Sequence, residues 1–152
     1  MYCDENSLLE LDLSGNLFLT KLYCSDNDLT ELDLSRNVEL MDLNINGNHF
    51  STLDVSGFPE LNYLGCSGNN LHSLDVSENK SLRYLECNDN RITDLDLSSN
   101  NLLLALDCRE NMLESLDVSG LTELETLYCG KNRMRELDLR NNNLLTDLEC
   151  GN

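Results

Sequence analysis

Apolar residues recur along the chain at a fixed spacing of 21 residues, without insertions. When Tyr23 to Leu43 is numbered as positions 1 to 21, leucine fills positions 10, 18 and 21 in all seven complete units. Position 12 is always Leu or Val, and position 7 is always apolar. Because a single unit of this length could not bury its apolar side alone, these columns predict one continuous core formed by stacked units.

The repeats account for the whole chain, which we interpret as a single array over residues 1–152. The units are 2–22, 23–43, 44–64, 65–85, 86–106, 107–127 and 128–148, with a partial unit at 149–152. Neither end carries a polar segment that would cap the core. We therefore expect a piece of a longer array, natural or engineered, whose uncapped termini favour an end-to-end homodimer.

Two short alternations of apolar and polar residues in each unit predict two strands. The first crosses the unit junction, as in Leu43-Asn44-Ile45, and the second is Leu32-Asp33-Leu34 with its equivalents. Alternation at period 2 is typical of a strand with one buried side. Stacking places each kind of strand in its own parallel sheet, with coils about 4.8 Å apart. The predicted fold is a solenoid with two short parallel β-sheets, one strand of each per coil, and little or no helix.

Asparagine marks two corners between these predicted strands. Position 5 is Asn in every unit, and position 15 is Asn in five of the seven. Asn tolerates left-handed backbone, and its amide can bond the main chain of a tight corner, so both columns predict stacked Asn ladders. Units three and six carry Phe58 and Leu121 at the second corner. We expect an apolar side chain to fill the bend there.

The unit pattern carries a family resemblance. Leu-x-x-Leu-x-Cys-x-x-Asn-x-Leu resembles the leucine-rich-repeat signature, with Cys at its third leucine. The continuation Leu-x-x-Leu-Asp-Leu/Val-Ser-x-Asn-x-x-Leu is similar to the short bacterial class sometimes called IRREKO. The resemblance covers essentially the whole chain. It implies a right-handed solenoid whose strand-bearing face binds protein ligands, although scaffolds of this kind serve many functions.

All seven cysteines lie at position 2, where unit three has Ile45 instead. They are Cys3, Cys24, Cys66, Cys87, Cys108, Cys129 and Cys150. A metal or disulfide interpretation is disfavoured by the odd number, by the isoleucine and by the phase shared with buried leucines. A zinc site also needs four ligands at one point, whereas a column presents a line. We interpret these thiols as buried core residues and expect no metal and no cofactor.

Aspartate fills position 11 in all seven units, and Ser follows at position 13 in six. The column is Asp12, Asp33, Asp54, Asp75, Asp96, Asp117 and Asp138. Like charges at the coil spacing repel one another unless something offsets them. Hydrogen bonds from Ser hydroxyls and backbone N–H groups are the favoured explanation. Calcium bridging between coils is the alternative, although one Asp column supplies few of the six to eight oxygens that calcium takes.

Charge and motif content restrict the function. The chain has 28 acidic and 10 basic residues and a net charge of −18, which repels nucleic acid and anionic lipid. Apolar runs of about 18 residues, as a membrane helix needs, are absent from the sequence. Both histidines fall in predicted corners, and phosphate-loop and zinc-helix motifs are missing. We expect a protein that is not an enzyme and that binds neither nucleic acid nor membrane.

The tyrosines indicate where a ligand would bind. All five lie at position 1 or 20, which flank the buried leucine of position 21 and share one face of the first sheet. This face varies between units, whereas the Asp column does not. The predicted ligand-binding residues are Tyr2, Tyr23, Asn44, Tyr63, Tyr84, Glu86, Asp107, Arg109 and Tyr128.

Rigid Tyr anchors on a variable surface favour a protein-interaction module, and the acidity favours a ligand with a basic surface. Two alternatives remain open. The tyrosines could merely pack on their ladder neighbours, as Tyr63 and Tyr84 could. The chain could also be a structural spacer within a larger surface or adhesion protein.

Overall fold

The computed structural model describes residues 1–151 and shows a solenoid with one parallel β-sheet along one side. Its seven strands are β1 (Lys21–Tyr23), β2 (Asp42–Asn44), β3 (Tyr63–Gly65), β4 (Tyr84–Glu86), β5 (Ala105–Asp107), β6 (Thr126–Tyr128) and β7 (Asp147–Glu149). They pair in chain order from β1 to β7, and every pair is parallel. Tyr2 adds an isolated bridge to Tyr23. The predicted solenoid and its first sheet are confirmed.

The register repeats the 21-residue period. Leu22 pairs with Leu43, Leu43 with Leu64 and Leu64 with Leu85, so each strand holds positions 20, 21 and 1. Side chains alternate across a strand, which directs the position-21 leucines inward and both of their neighbours outward. One buried cluster joins these leucines to the other apolar columns and to the cysteines. The predicted continuous core is therefore confirmed.

Each strand is short because the chain turns soon after it. Position 4 adopts a positive φ in every unit, between 52° and 61°, including non-glycine residues such as Asp26 and Lys131. The asparagine at position 5 holds this corner. Asn90, for example, is buried, and its Nδ2 donates to the carbonyls of Cys66 and Cys87 at 2.9 and 3.2 Å. Its Oδ1 accepts the Leu71 N–H at 2.9 Å, so the ladder ties neighbouring coils together.

The second corner also carries the predicted ladder. Asn100 is fully buried, and its Nδ2 donates to the carbonyls of Val76 and Asn79, both at 3.0 Å. In units three and six, Phe58 and Leu121 take the place of asparagine and are 3% and 1% exposed. The expectation of an apolar side chain filling these two bends is confirmed.

The second predicted sheet is wrong. Leu34 is buried and Asp33 is exposed, as the alternation implies, but within residues 1–151 no backbone hydrogen bond joins positions 10 to 12 of neighbouring coils. Asp33 Oδ1 instead accepts the Ser35 N–H at 3.0 Å, and the Asn37 N–H closes a turn onto the Leu34 carbonyl at 2.9 Å. These backbone groups are satisfied inside their own coil. The segment stays extended but unpaired, which leaves grooves between coils on this side.

Helices are missing from the described residues, in line with the prediction of little or none. Accordingly, nothing in residues 1–151 is a helix long and apolar enough to cross a membrane.

Candidate binding face

The outer side of the sheet is formed by side chains at positions 20, 1 and 3 and is termed the sheet face. The structure places all nine predicted ligand-binding residues on it, at or directly beside the strands. They differ in accessibility: Tyr2 is 73% and Tyr84 is 42% exposed, whereas Tyr23, Tyr63 and Tyr128 are half-buried. The face therefore contains both accessible and supporting aromatic rings.

Three tyrosines form a stacked row at the N-terminal end of the sheet face. The ring centroids of Tyr2 and Tyr23 are 4.9 Å apart with an interplanar angle of 18°. Tyr23 and Tyr63 follow at 6.3 Å and 16°, although β2 lies between their strands. Tyr63 and Tyr84 are register partners, yet the ring that stacks on Tyr63 in this structure is that of Tyr23. Offset stacking of this kind fixes the rings in place.

Gly65 makes room for the Tyr63 side chain. A Cβ at Gly65 would lie 2.7 Å from the Tyr63 hydroxyl oxygen, so a larger residue there would displace the ring. The hydroxyl donates to Glu86 Oε2 at 3.0 Å, and Asn46 Nδ2 donates to the same oxygen at 3.2 Å. Burial and the neighbouring Glu86 carboxylate raise the pKa of Tyr63, so the hydroxyl stays neutral and acts as a donor.

A second set of bonds lies beside Tyr23. The ammonium of Lys21 is 2.5 Å from Asp42 Oδ2, and the Tyr23 hydroxyl donates to the same oxygen at 3.4 Å. The hydrogen bond to Asp42 raises the pKa of Lys21 and keeps it charged. Asn44 is also engaged, because its Oδ1 accepts the Asn46 N–H at 3.0 Å. The charges in this part of the face are paired with each other.

Arg109 organises the C-terminal end of the sheet face. Its Nε and Nη2 donate to Asp107 at 3.0 and 2.7 Å, and Nη1 donates to Glu149 at 2.7 Å. The guanidinium carbon lies 4.9 Å from the centroid of the Tyr128 ring. The Tyr128 hydroxyl donates to Asp147, and that bond raises the pKa of Tyr128. Arg109 and Asp107 thus bond mainly to their neighbours, which makes this end a rigid ion-paired cluster.

Three residues of the sheet face outside the predicted set help to hold it together. Asn46 supports Glu86 and also accepts the Ser67 N–H through Oδ1 at 2.7 Å. Asp42 joins Lys21 to Tyr23, and Glu149 completes the Arg109 cluster. The available sequence signal was their unit positions, since side chains at positions 1, 3 and 20 all face the same side of the sheet.

The cysteine column is buried, as predicted, except at its two ends, where Cys3 is half-buried and Cys150 is exposed. Cys24, Cys66, Cys87, Cys108 and Cys129 are buried, and all seven cysteines are free thiols. Burial raises the pKa of Cys66 and of Cys24 to about 12, because the thiolate would lose its solvation. These thiols are therefore neutral core groups at physiological pH.

The aspartate column is exposed and hydrogen-bonded. Each carboxylate accepts the backbone N–H of position 13 through Oδ1, at 2.9 to 3.1 Å. Ser56 adds a hydroxyl bond to Asp54 at 2.7 Å, and the Ser56 bonds lower the pKa of Asp54. The backbone hydrogen bonds expected for this column are confirmed in all seven units, and a Ser hydroxyl bond is present in unit three. In residues 1–151, no three His, Cys, Asp or Glu side chains are grouped as a metal ion would need.

Comparison with known proteins supports the assignment of the fold. No protein-family model matches the chain, and no curated protein matches it. The functional domain of InlJ from Listeria monocytogenes, whose structure is described as including a cysteine ladder, is 37% identical with a TM-score of 0.87. That similarity covers 99% of this chain and 38% of InlJ.

Two further solved structures share the fold at lower identity. The leucine-rich-repeat protein LIC12759 of Leptospira interrogans is 18% identical with a TM-score of 0.91, over 99% of this chain and 43% of its own. Internalin C2 of L. monocytogenes is 19% identical with a TM-score of 0.72, over 97% and 79%. The chain spans about two fifths of the length of InlJ and of LIC12759. With its 21-residue period and its buried cysteine column, the chain is a leucine-rich-repeat protein of the short, cysteine-containing bacterial class.

Proposed function

We propose that the chain is a protein-interaction module that binds a protein ligand through the sheet face, with Tyr2, Tyr23, Tyr63 and Tyr84 at the centre of the contact. The observation that carries this proposal is the stacked row of three tyrosines; the exposed ring of Tyr84 lies on the next strand, at the register position of Tyr63. Large aromatic side chains held in one orientation lose little entropy on binding. They are also enriched among residues that dominate the energy of interfaces.

The bonds beneath the tyrosines support the same function. Glu86 and Asn46 hold Tyr63, and Asp42 holds Tyr23, before any ligand arrives. A surface that is ordered in advance binds more tightly than one that must be ordered by the ligand. The N-terminal end of the face therefore supplies the aromatic contact, and the Arg109 cluster supplies a rigid polar border.

The charge of the chain favours a ligand with a basic surface. Residues 1–76 hold 13 acidic residues and 2 basic ones, a net charge of −11 in the part of the chain that carries Tyr2, Tyr23 and Tyr63. Complementary charge mainly accelerates association and fixes orientation. We expect the association rate to fall as salt concentration rises, while dissociation depends on the aromatic contact.

The test begins with affinity capture on the whole chain and identification of the captured protein. The dissociation constant of that protein is then measured with the double variant Tyr23→Asn and Tyr84→Thr. Both replacements occur naturally at the same unit positions, as Asn44 and Thr126, so the fold should tolerate them. Loss of two anchor residues should weaken binding by about 30-fold or more.

Thr93→Ser serves as the matched control, since it lies at position 8, away from the sheet face, and Ser51 occupies that position in unit three. It should leave the dissociation constant unchanged. If the double variant binds as tightly as the original chain while remaining folded, the sheet face is not the binding surface. A chain that captures no protein at all would instead support the structural-spacer alternative.

A further inference from the structure

Four large apolar side chains are exposed together at the corner that follows position 15 in the first two units. Leu17 is 40%, Phe18 is 89%, Val38 is 55% and Met41 is 44% exposed. They occupy positions 16, 17 and 19 of their units, between the second Asn corner and the sheet. This group is termed the apolar corner.

The coils hold these residues close together. Asn37 Nδ2 donates to the Asn16 carbonyl at 2.9 Å on one side of the corner. On the other side, the Met41 N–H donates to the Thr20 carbonyl at 2.8 Å. Because the two coils are bonded before and after the corner, their side chains between these points lie next to each other and form one patch.

The exposure follows from the unit position. Val38 belongs to unit two, which has a coil on either side of it, and it is still 55% exposed. Positions 16 and 17 are also exposed in later units, at Pro59 and Glu60 and again at Thr122 and Glu123. A further coil stacked before unit one would therefore leave the Phe18 position facing outward.

The fold does not require apolar residues at this corner. Position 17 is Glu in units two, three and six, and position 16 is Lys or Thr in units four and six. Polar residues thus serve equally well where only the scaffold matters. Contiguous apolar side chains exposed to water mark interaction sites in soluble proteins.

The surrounding charges indicate what covers the patch. Glu39 is the next residue after Phe18 in the position-17 column, and Glu60 follows it; both are exposed, and neither forms a salt bridge within residues 1–151. Residues 1–64 contain 12 acidic residues but only Lys21 and Arg36 as bases. Lys21 is paired with Asp42, and Arg36 lies at position 14, two residues before Val38. Glu39 and Glu60 therefore make the position-17 side of the patch acidic.

We propose that the apolar corner is a second docking surface, separate from the sheet face, for a protein partner whose apolar side chains are flanked by Lys or Arg. The apolar side chains of the partner would cover Phe18 and Val38, and its basic groups would reach Glu39 and Glu60. Removal of apolar area from water supplies the affinity, and the acidic border selects the sign of the partner's charge.

The probe for this surface is a synthetic amphipathic peptide of leucine and lysine, labelled for fluorescence anisotropy and titrated with the whole chain. Phe18→Glu should weaken its binding at least tenfold. This substitution adds a negative charge, so general attraction of a basic peptide to an acidic chain predicts tighter binding instead. The two explanations therefore give opposite signs. Leu102→Glu is the matched control, because Leu102 has the same unit position in unit five, where its position-16 neighbour is Asn101, and it should not weaken binding.

Several outcomes would overturn the proposal. One is equal or tighter binding by Phe18→Glu, and another is equal binding of a leucine and glutamate peptide of the same pattern. A third is a dimer in sedimentation that Phe18→Glu dissociates, which would show that a second copy covers the patch. Glu is native at position 17, so Phe18→Glu should fold, and Val38→Thr provides a second variant that repeats the residue of Thr122 at the same unit position. The Tyr23→Asn and Tyr84→Thr variant should retain peptide binding, which separates this test from that of the sheet face.

Discussion

Each coil has two halves with similar sequence patterns and different bonding. The sheet half runs from position 18 through the unit junction to position 7, and the Asp half runs from position 8 to position 17. Both halves alternate apolar and polar residues, and both contain an Asn corner. Only the sheet half joins neighbouring coils through a backbone ladder, while the backbone–backbone bonds of the Asp half close turns inside one coil.

The two asparagines of unit five show what this difference means. Asn90, in the sheet half, donates to three carbonyls and accepts the Leu71 N–H. Asn100, in the Asp half, donates to two carbonyls, but its Oδ1 is buried without a hydrogen-bond partner. A buried polar atom without a partner costs free energy, which offsets part of what the two bonds contribute.

This bonding explains which column tolerates substitution within the repeats. Position 5 is Asn in all seven units, whereas position 15 is replaced by Phe58 and Leu121. An apolar residue at position 15 removes the unpaired oxygen and fills the bend. The same residue at position 5 would leave the N–H of position 7 in the preceding coil without an acceptor. An Asn ladder is therefore indispensable only where both the Nδ2 and the Oδ1 of the amide form hydrogen bonds.

The largest expected effect is that of Asn90→Leu. It removes four hydrogen bonds and leaves the buried Leu71 N–H unpaired. We expect a loss of about 3 kcal/mol or more in the free energy of unfolding, from one unsatisfied buried donor together with the lost bonds. Urea unfolding followed by circular dichroism measures it. A loss below about 1 kcal/mol would remove the proposed distinction between the two corners.

The strand positions, the core and both Asn ladders were predictable because each column records the burial and bonding of one unit position. The second sheet was not, since the alternation in Leu32-Asp33-Leu34 reports burial and says nothing of backbone partners. The Asp at position 11 and the Ser at position 13 were the available signal. The Asp33 carboxylate accepts the Ser35 N–H, so this bond stays inside one coil.

The period of 2 was also enough to predict which residues lie on the sheet face. It did not predict the direction in which each tyrosine ring points or which charged side chains pair across coils. Tyr63 stacks on Tyr23 and its hydroxyl lies over Gly65. This ring orientation depends on the space left by the missing side chain of Gly65, two residues later in the chain. Arg109 and Glu149 are 40 residues apart and meet only because a position-3 side chain reaches position 1 two coils later.

The buried thiols belong to the sheet half alone, and we expect them to lower the stability of the chain at alkaline pH. The pKa of Cys66 is raised to about 12 by burial, above its value of about 9 in the unfolded chain. The folded state thus holds its proton more tightly. The stability that the protonated Cys66 thiol contributes is fully present below about pH 9 and is lost as the pH rises towards 12. At about pH 10.5, the titration of this one thiol should lower the free energy of unfolding by about 2 kcal/mol.

The measurement compares the original chain with Cys66→Ala under reducing conditions at pH 8 and pH 10.5. The variant starts less stable because of its cavity, so the decisive quantity is the change between the two pH values. That change should be about 2 kcal/mol smaller for the variant. Equal changes for both proteins would mean that Cys66 is already solvated, contrary to its burial.

Asn100→Leu should have a smaller effect than either. It removes two hydrogen bonds, but the carbonyls of Val76 and Asn79 each keep a backbone partner, the N–H groups of Asn79 and Leu82. It also removes the unpaired Oδ1 and reproduces the arrangement at Leu121. We expect a change within about 1 kcal/mol in urea unfolding. A loss as large as that of Asn90→Leu would show that both corners depend equally on their amides.

The smallest expected effect comes from Ser56→Ala in the Asp half. The Ser56 hydroxyl and N–H lower the pKa of Asp54, and the substitution removes only the hydroxyl. Stability from a lowered carboxyl pKa is present above the unfolded value and is lost as the pH falls through the folded one. The variant should melt within about 2 °C of the original chain at neutral pH, and the difference should vanish towards about pH 2. A difference that grew on acidification would instead mean that Ser56 stabilises the protonated carboxyl, and the repeated Asp and Ser columns would then need an explanation other than a hydrogen bond to the ionised carboxylate.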